Sequence, residues 1–154
     1  SIFEFGTSWE FQISTAKTVA YSEKWKYRLR TAIDLNPTAL EKLNEDYTRF
    51  LADVIQAFIS THGHHKIDAV CSHGHTVVHE PNAGKTLQIG NLPILATYLN
   101  QTVVCDFRTQ DVALGGQGAP LVPIGDALLF SEYDYCLNLG GFANISFGQN
   151  SVRS

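Results

Sequence analysis

Between Pro37 and Phe58, the residues Leu40, Leu43, Tyr47, Phe50, Leu51, Val54, Ile55 and Phe58 recur every three or four positions, which predicts one apolar face along an α-helix. A helix of this kind is not stable alone in water and needs a second layer to cover its face. Pro37 and Thr38 open it, because proline has no amide hydrogen to waste in a first turn. After the polar connection Thr61 to Lys66, the run Ile67-Asp68-Ala69-Val70-Cys71-Ser72 reads as a short buried parallel strand. A long helix followed by a buried strand predicts an α/β layer.

The flanking patterns agree. Aromatic and β-branched residues from Trp9 to Tyr21 predict one long strand or two. Ser22 is placed to cap a helix that runs through Leu29 and Ile33 and ends before Asn36-Pro37. A polar start at Thr86 leads into a helix over Leu92 to Leu99, with Pro93 in its first turn, and then a strand over Thr102 to Asp106. Gly115-Gly116-Gln117-Gly118-Ala119-Pro120 marks a long loop. Tyr135 to Leu139 and Phe142 to Phe147 flank Gly140-Gly141 as a β-hairpin, with no further element expected after it. The predicted order is β-α-α-β-α-β-loop-ββ, without internal repeats.

A chain of 154 residues accommodates one domain with a core and no second complete one. Its net charge of -4, with eleven dispersed Lys and Arg, speaks against a nucleic-acid partner, which needs clustered cations against phosphate. No run approaches the roughly 20 apolar residues that span a bilayer, so no membrane partner is expected. The three cysteines, Cys71, Cys105 and Cys136, each sit in an apolar run and are expected as reduced, buried thiols of a cytosolic protein. Ser1 to Phe5 carry no leader pattern, and the absence of Met leads us to expect further residues before Ser1.

All six histidines lie between His62 and His79, which raises metal binding. No Cys-x-x-Cys or His-Glu-x-x-His spacing accompanies them, and His62, His64 and His65 fall in a polar turn, so no metal site is expected. Ser72-His73-Gly74-His75-Thr76 follows a buried strand, at the kind of strand end where α/β proteins bind ligands. His73 and His75 alternate there and would share a face, hydrogen-bonding a ligand's hydroxyls or merely closing the backbone. Asp106-Phe107-Arg108 emerges from the next strand at the corresponding end. Arg108 could grip a carboxylate with two hydrogen bonds or pair with Asp106 or Asp111. The glycines at 115–118 and 140–141 could bring backbone amides to a phosphate or sugar, though neither stretch matches the phosphate-loop consensus.

In order and spacing, the segments Ser72 to Pro81, Leu87-Gln88-Ile89-Gly90-Asn91, Asp106-Phe107-Arg108, Gly115 to Pro123 and Leu137 to Ser146 resemble the anhydro-N-acetylmuramic acid kinases, across about Trp9 to Phe147. The resemblance implies the ribonuclease H-like, actin-like fold of the sugar kinase and actin superfamily. Residues 1–131 would form a sugar-side domain I, a mixed sheet with flanking helices, and residues 132–154 the first hairpin of domain II. It implies a cytoplasmic bacterial enzyme that uses ATP and Mg²⁺ to hydrate and phosphorylate 1,6-anhydro-N-acetylmuramic acid, giving N-acetylmuramic acid 6-phosphate in peptidoglycan recycling. Apart from the resemblance, an unpaired strand edge at the terminal hairpin could pair with a second copy to give a homodimer.

On the matched positions, His73, His75, Glu80, Gln88, Arg108, Asp111 and Gln117 are expected to face the substrate, and Gly140, Gly141 and Asn144 the nucleotide phosphates. The family's first phosphate motif, Ser-Gly-Thr-Ser-x-Asp-Gly-x-Asp, is only imitated by Gly6-Thr7-Ser8, and its catalytic Asp, in a Phe-Asp-x-Gly-Pro context, is expected beyond Ser154. No catalytic residue is therefore assigned, and the chain by itself is expected to be inactive. Two departures concern the sugar side: His75 stands where many relatives have Gln, and Thr109-Gln110 where they have Arg-Arg. They leave room for a non-catalytic sugar-binding or regulatory protein of the same fold, while a metal-dependent hydrolase rests on the histidines alone.

Overall fold

The computed structural model describes residues 1–6, 8–63, 66–140, 143–149 and 152–153, in two units: residues 1–16 with 119–154, and residues 17–118. The chain begins in the first unit with β1 (Ile2–Phe5) and β2 (Trp9–Gln12), paired antiparallel from Phe5↔Trp9 to Ile2↔Gln12. The expected strand through Tyr21 stops at Gln12, and β1 is an addition. A strand exists only where a partner ladder takes up its amides, and residue pattern alone does not name that partner.

The second unit opens with α1 (Glu23–Arg30), capped where the Ser22 hydroxyl accepts the Trp25 amide at 3.3 Å. A 3₁₀ turn over Ala32–Asp34 brings the chain to α2 (Pro37–His62), where Asn36 Oδ1 accepts the Ala39 amide at 2.9 Å and left-handed Gly63 closes the far end. Leu43 and Tyr47, each 2% exposed, join Leu29, Ala32 and Ile89 in one core cluster, while Ala52 joins Leu95 and Leu99 in another. The stripe read from sequence is thus covered by different partners along its length.

The later partners, Ile89, Leu95 and Leu99, come from the elements that follow α2. β3 (Val70–Ser72) leads into an antiparallel hairpin of β4 (His75–Glu80) and β5 (Lys85–Ile89), closed by a 3₁₀ turn over Pro81–Ala83. α3 (Ile94–Leu99) then returns the chain to β6 (Val103–Cys105), which pairs parallel with β3 from Val70↔Val103 to Ser72↔Cys105. α4 (Thr109–Ala113) follows. Sequence reading missed the β4–β5 hairpin, because an irregularity in the ladder between Thr76 and Val78 breaks the alternation on which it depends. It also missed α4, which at five residues is too short to show a helical period.

The first unit resumes with α5 (Val122–Leu129), Pro123 in its first turn, in a stretch read as loop. β7 (Tyr135–Leu139) and β8 (Ala143–Gln149) form the expected hairpin, and β9 (Val152–Arg153) adds an unexpected strand against β8. In that hairpin Leu137 and Ile145 are exposed, whereas Ser146 is buried with Asp126 of α5. The cysteines are free, but Cys71 is exposed and Cys105 and Cys136 only part-buried, which corrects the expectation of buried thiols. A mixed α/β architecture results, with the parallel pair and the antiparallel pairs in separate sheets among the described residues.

Candidate functional site

Polar side chains gather where the parallel strands β3 and β6 end. Ser72, the last residue of β3, is 8% exposed, and its hydroxyl donates to Asn91 Oδ1 at 2.8 Å. Asn91 Nδ2 in turn donates to the His73 carbonyl at 3.1 Å. Between β3 and β4 the chain turns at Gly74, with φ of 70°, and a Cβ there would lie 2.4 Å from the Ile89 carbonyl oxygen and 2.6 Å from Asn91 Nδ2. Only glycine permits both that conformation and that approach.

Arg108, just past β6, is held at two points: Nε donates to His73 Nε2 at 3.1 Å, and Nη1 to the Gly118 carbonyl at 2.9 Å. Because a guanidinium only donates, His73 Nε2 accepts, so the ring is neutral with its proton on Nδ1, 3.2 Å from the Gly74 carbonyl. Arg108 pairs with neither Asp106 nor Asp111, and it has no carboxylate partner among the described residues. Asp106, at φ of 61°, accepts the Thr109 hydroxyl at 2.5 Å. Asp111 Oδ2 accepts the Gly118 amide at 2.6 Å.

His75 is engaged elsewhere. Its ring lies edge-on to Tyr47, with centroids 6.1 Å apart, and burial pulls its pKa below 6.5, opposed by a hydrogen bond to the Leu29 backbone. The expected shared face of His73 and His75 is lost because left-handed Gly74 breaks the strand between them. Burial and the Tyr21 hydroxyl at 2.6 Å push the Tyr47 phenol pKa far up, so Tyr47 stays neutral.

Gln88 lies across β4–β5 from Thr76, where Nε2 donates to Thr86 Oγ1 at 2.9 Å and reaches Thr76 Oγ1 at 3.4 Å. Its Oε1 is buried and has no donor among the described residues. Thr86 also meets His79 Nδ1 at 3.2 Å. Glu80 pairs with Lys85 at the far end of the hairpin, exposed and five residues along β4 from His75, roughly 17 Å at strand rise. Gln117 is exposed in the glycine loop.

Of the expected substrate-facing residues, then, His73, Arg108 and Asp111 are linked in one network, Gln88 and His75 sit on the neighbouring hairpin, and Glu80 stands apart. Gly140 and Asn144 lie at the turn end of β7–β8 in the other unit, with Asn144 opposite Asn138, and Gly141 lies outside the described residues. Asn91 was not among the residues singled out from sequence. A lone Asn after Gly reads as a turn, and nothing local tells that it bridges β3 to the segment after β5. No group of three His, Cys, Asp or Glu able to hold a metal occurs among the described residues, and His64 and His65 lie outside them.

Comparison with known proteins bears on the same residues. A family model described as anhydro-N-acetylmuramic acid kinase matches residues 7–151. Three similar proteins carry that name. The one from Pseudomonas syringae pv. syringae (strain B728a) is 50% identical over 84 residues, covering 53% of this chain and 23% of its own length. The one from Paramagnetospirillum magneticum is 37% identical over 140 residues, covering 86% and 38%, and that of Vibrio cholerae is 41% identical over 131 residues, covering 79% and 35%. The chain therefore spans between 23% and 38% of the length of these relatives. With the match running across both units and through the Ser72, Asn91 and Arg108 network, the chain belongs to the anhydro-N-acetylmuramic acid kinase family.

Proposed function

We propose that the chain is the sugar-side part of a kinase of cell-wall recycling, one that hydrates and phosphorylates 1,6-anhydro-N-acetylmuramic acid to N-acetylmuramic acid 6-phosphate. The observation that carries the sugar-side assignment is Arg108. Its guanidinium is fixed by His73 and Gly118 yet lacks any carboxylate partner among the described residues, and Nη2 makes no hydrogen bond there. A part-buried cation held without a counter-charge suits an anionic ligand, and the substrate's lactyl carboxylate is one. Gln88, Thr76 and Thr86 offer hydroxyl-binding groups on the adjoining hairpin.

ATP is the proposed phosphoryl donor and Mg²⁺ its companion, in a cytoplasmic enzyme of the actin-like fold, with residues 1–131 in domain I and 132–154 in domain II. Gly140 and Asn144 would supply a backbone amide and a side-chain amide toward phosphate; no residue of this chain is assigned to Mg²⁺. ATP, when bound, supplies the phosphoryl group, while this chain's residues bind and orient the sugar. Because transfer needs both a cradled nucleotide and a placed nucleophile, residues 1–154 alone are proposed not to turn over.

The test is an assay of the full-length protein, and of residues 1–154, with the anhydro-sugar and MgATP, following ADP release and product mass. Turnover by the full-length protein alone is expected. Turnover by residues 1–154 overturns the inactivity, and sugar binding without turnover by the full-length protein points to a non-catalytic sugar-binding role.

A further inference from the structure

We propose that Asp111 is a positioning residue that sets the charge selectivity of the site through the glycine loop, rather than a ligand of the sugar. This rests on Arg108 reading the substrate carboxylate.

The connections form a continuous path. Asp111 lies in α4, and its Oδ2 accepts the Gly118 amide at 2.6 Å, while its own carbonyl accepts the Gly116 amide at 2.8 Å. Gly118 then presents its carbonyl to Arg108 Nη1 at 2.9 Å, and Arg108 Nε reaches His73 Nε2 at 3.1 Å. Both ends of the Gly116–Gly118 segment are thereby tied to one residue, Gly116 by its backbone carbonyl and Gly118 by its carboxylate, and the glycine whose carbonyl holds Arg108 is anchored at its amide. The loop closes tightly over the carboxylate: a Cβ on Gly116 would lie 2.3 Å from Asp111 Oδ2.

Two features argue against a direct role in binding. Oδ2 is already committed to the Gly118 amide. A carboxylate three residues from Arg108 would repel an anionic substrate if it faced it, and Asp111 is instead turned onto the amide of the glycine loop. Arg108, in contrast, keeps Nη2 uncommitted among the described residues. Without the Asp111 tie, Gly118 is free to move and Arg108 loses one of the two acceptors that hold it. The expected consequence is specific: the site loses its preference for a charged ligand more than its affinity for the sugar frame.

The experiment compares binding of 1,6-anhydro-N-acetylmuramic acid and of its neutral methyl ester by calorimetry, using the full-length protein and its variants. Wild type is expected to prefer the acid, and R108Q to lose that preference. D111A is expected to cut the acid-to-ester ratio about tenfold, the scale of one charge-assisted hydrogen bond, while D111N, which keeps an oxygen to accept the Gly118 amide, retains most of it. G116A, which displaces the carboxylate without removing it, is expected to act like D111A and decides the matter if D111A does not fold. An equal loss for acid and ester in D111A, or an unchanged ratio, overturns the proposal and leaves Arg108's role standing. A preference that survives in R108Q overturns the reading of Arg108, and the inference with it.

Discussion

The Ser72 hydroxyl donates to Asn91 Oδ1 at 2.8 Å, joining the end of β3 to the segment that follows β5. The same amide group supports the His73 carbonyl, so one side chain fixes the backbone on which His73 meets Arg108.

Asn91→Ala is expected to destabilise the protein by about 1–3 kcal/mol, because it leaves the buried Ser72 hydroxyl and the His73 carbonyl without their partners. Urea unfolding measures this. Asn91→Asp, which can still accept from Ser72 but cannot donate to the His73 carbonyl, should fall between wild type and Ala.

Gly74→Ala should cost at least about 1–3 kcal/mol, since the residue is left-handed and its new Cβ meets the Ile89 carbonyl. Sugar affinity is expected to fall as well, because Gly74 and His73 share the turn. A thermal midpoint equal to wild type would refute the close approach.

His75 gives stability a pH dependence. Burial pulls its folded pKa below the unfolded 6.5, so the unfolded chain binds more protons between the two values. Stability from this residue is complete above pH 6.5 and is lost as pH falls through the lower folded value. Asp46, held below 3.8 chiefly by its hydrogen bond from Arg28, acts in a more acidic window and does not interfere. Urea midpoints from about pH 8 to pH 5 should decline for wild type and flatten for His75→Gln.

In the other unit, Ser146→Ala removes the hydroxyl that bonds to the buried Asp126 carboxylate. A loss of about 1–3 kcal/mol is expected, recovered in part by Ser146→Thr, and denaturant unfolding would show it.

Much of the local structure was legible from the residues. The Leu40 to Phe58 stripe became α2, Ser22 capped α1, and Ile67 to Ser72 and Thr102 to Asp106 contained the parallel pair, each shorter than expected. What escaped reading were elements defined by partners: β1, the β4–β5 hairpin with its irregular ladder, and β9. Within the site, His73 and Arg108 were singled out separately, each at the end of a strand. That they touch, and that Arg108 is spared by Asp106 and Asp111, depends on the parallel register that sets Ser72 opposite Cys105.

The sequence by itself determined the α/β character, the long helix and the family, because period, capping and motif spacing are local or linear properties of the chain. Only the tertiary structure decided that His75 packs on Tyr47 while His73 meets Arg108, and that Asp111 holds the glycine loop. Such choices turn on which groups fold brings within about 3 Å, and hydrogen bonds weaken too steeply beyond that distance for residue order alone to predict them.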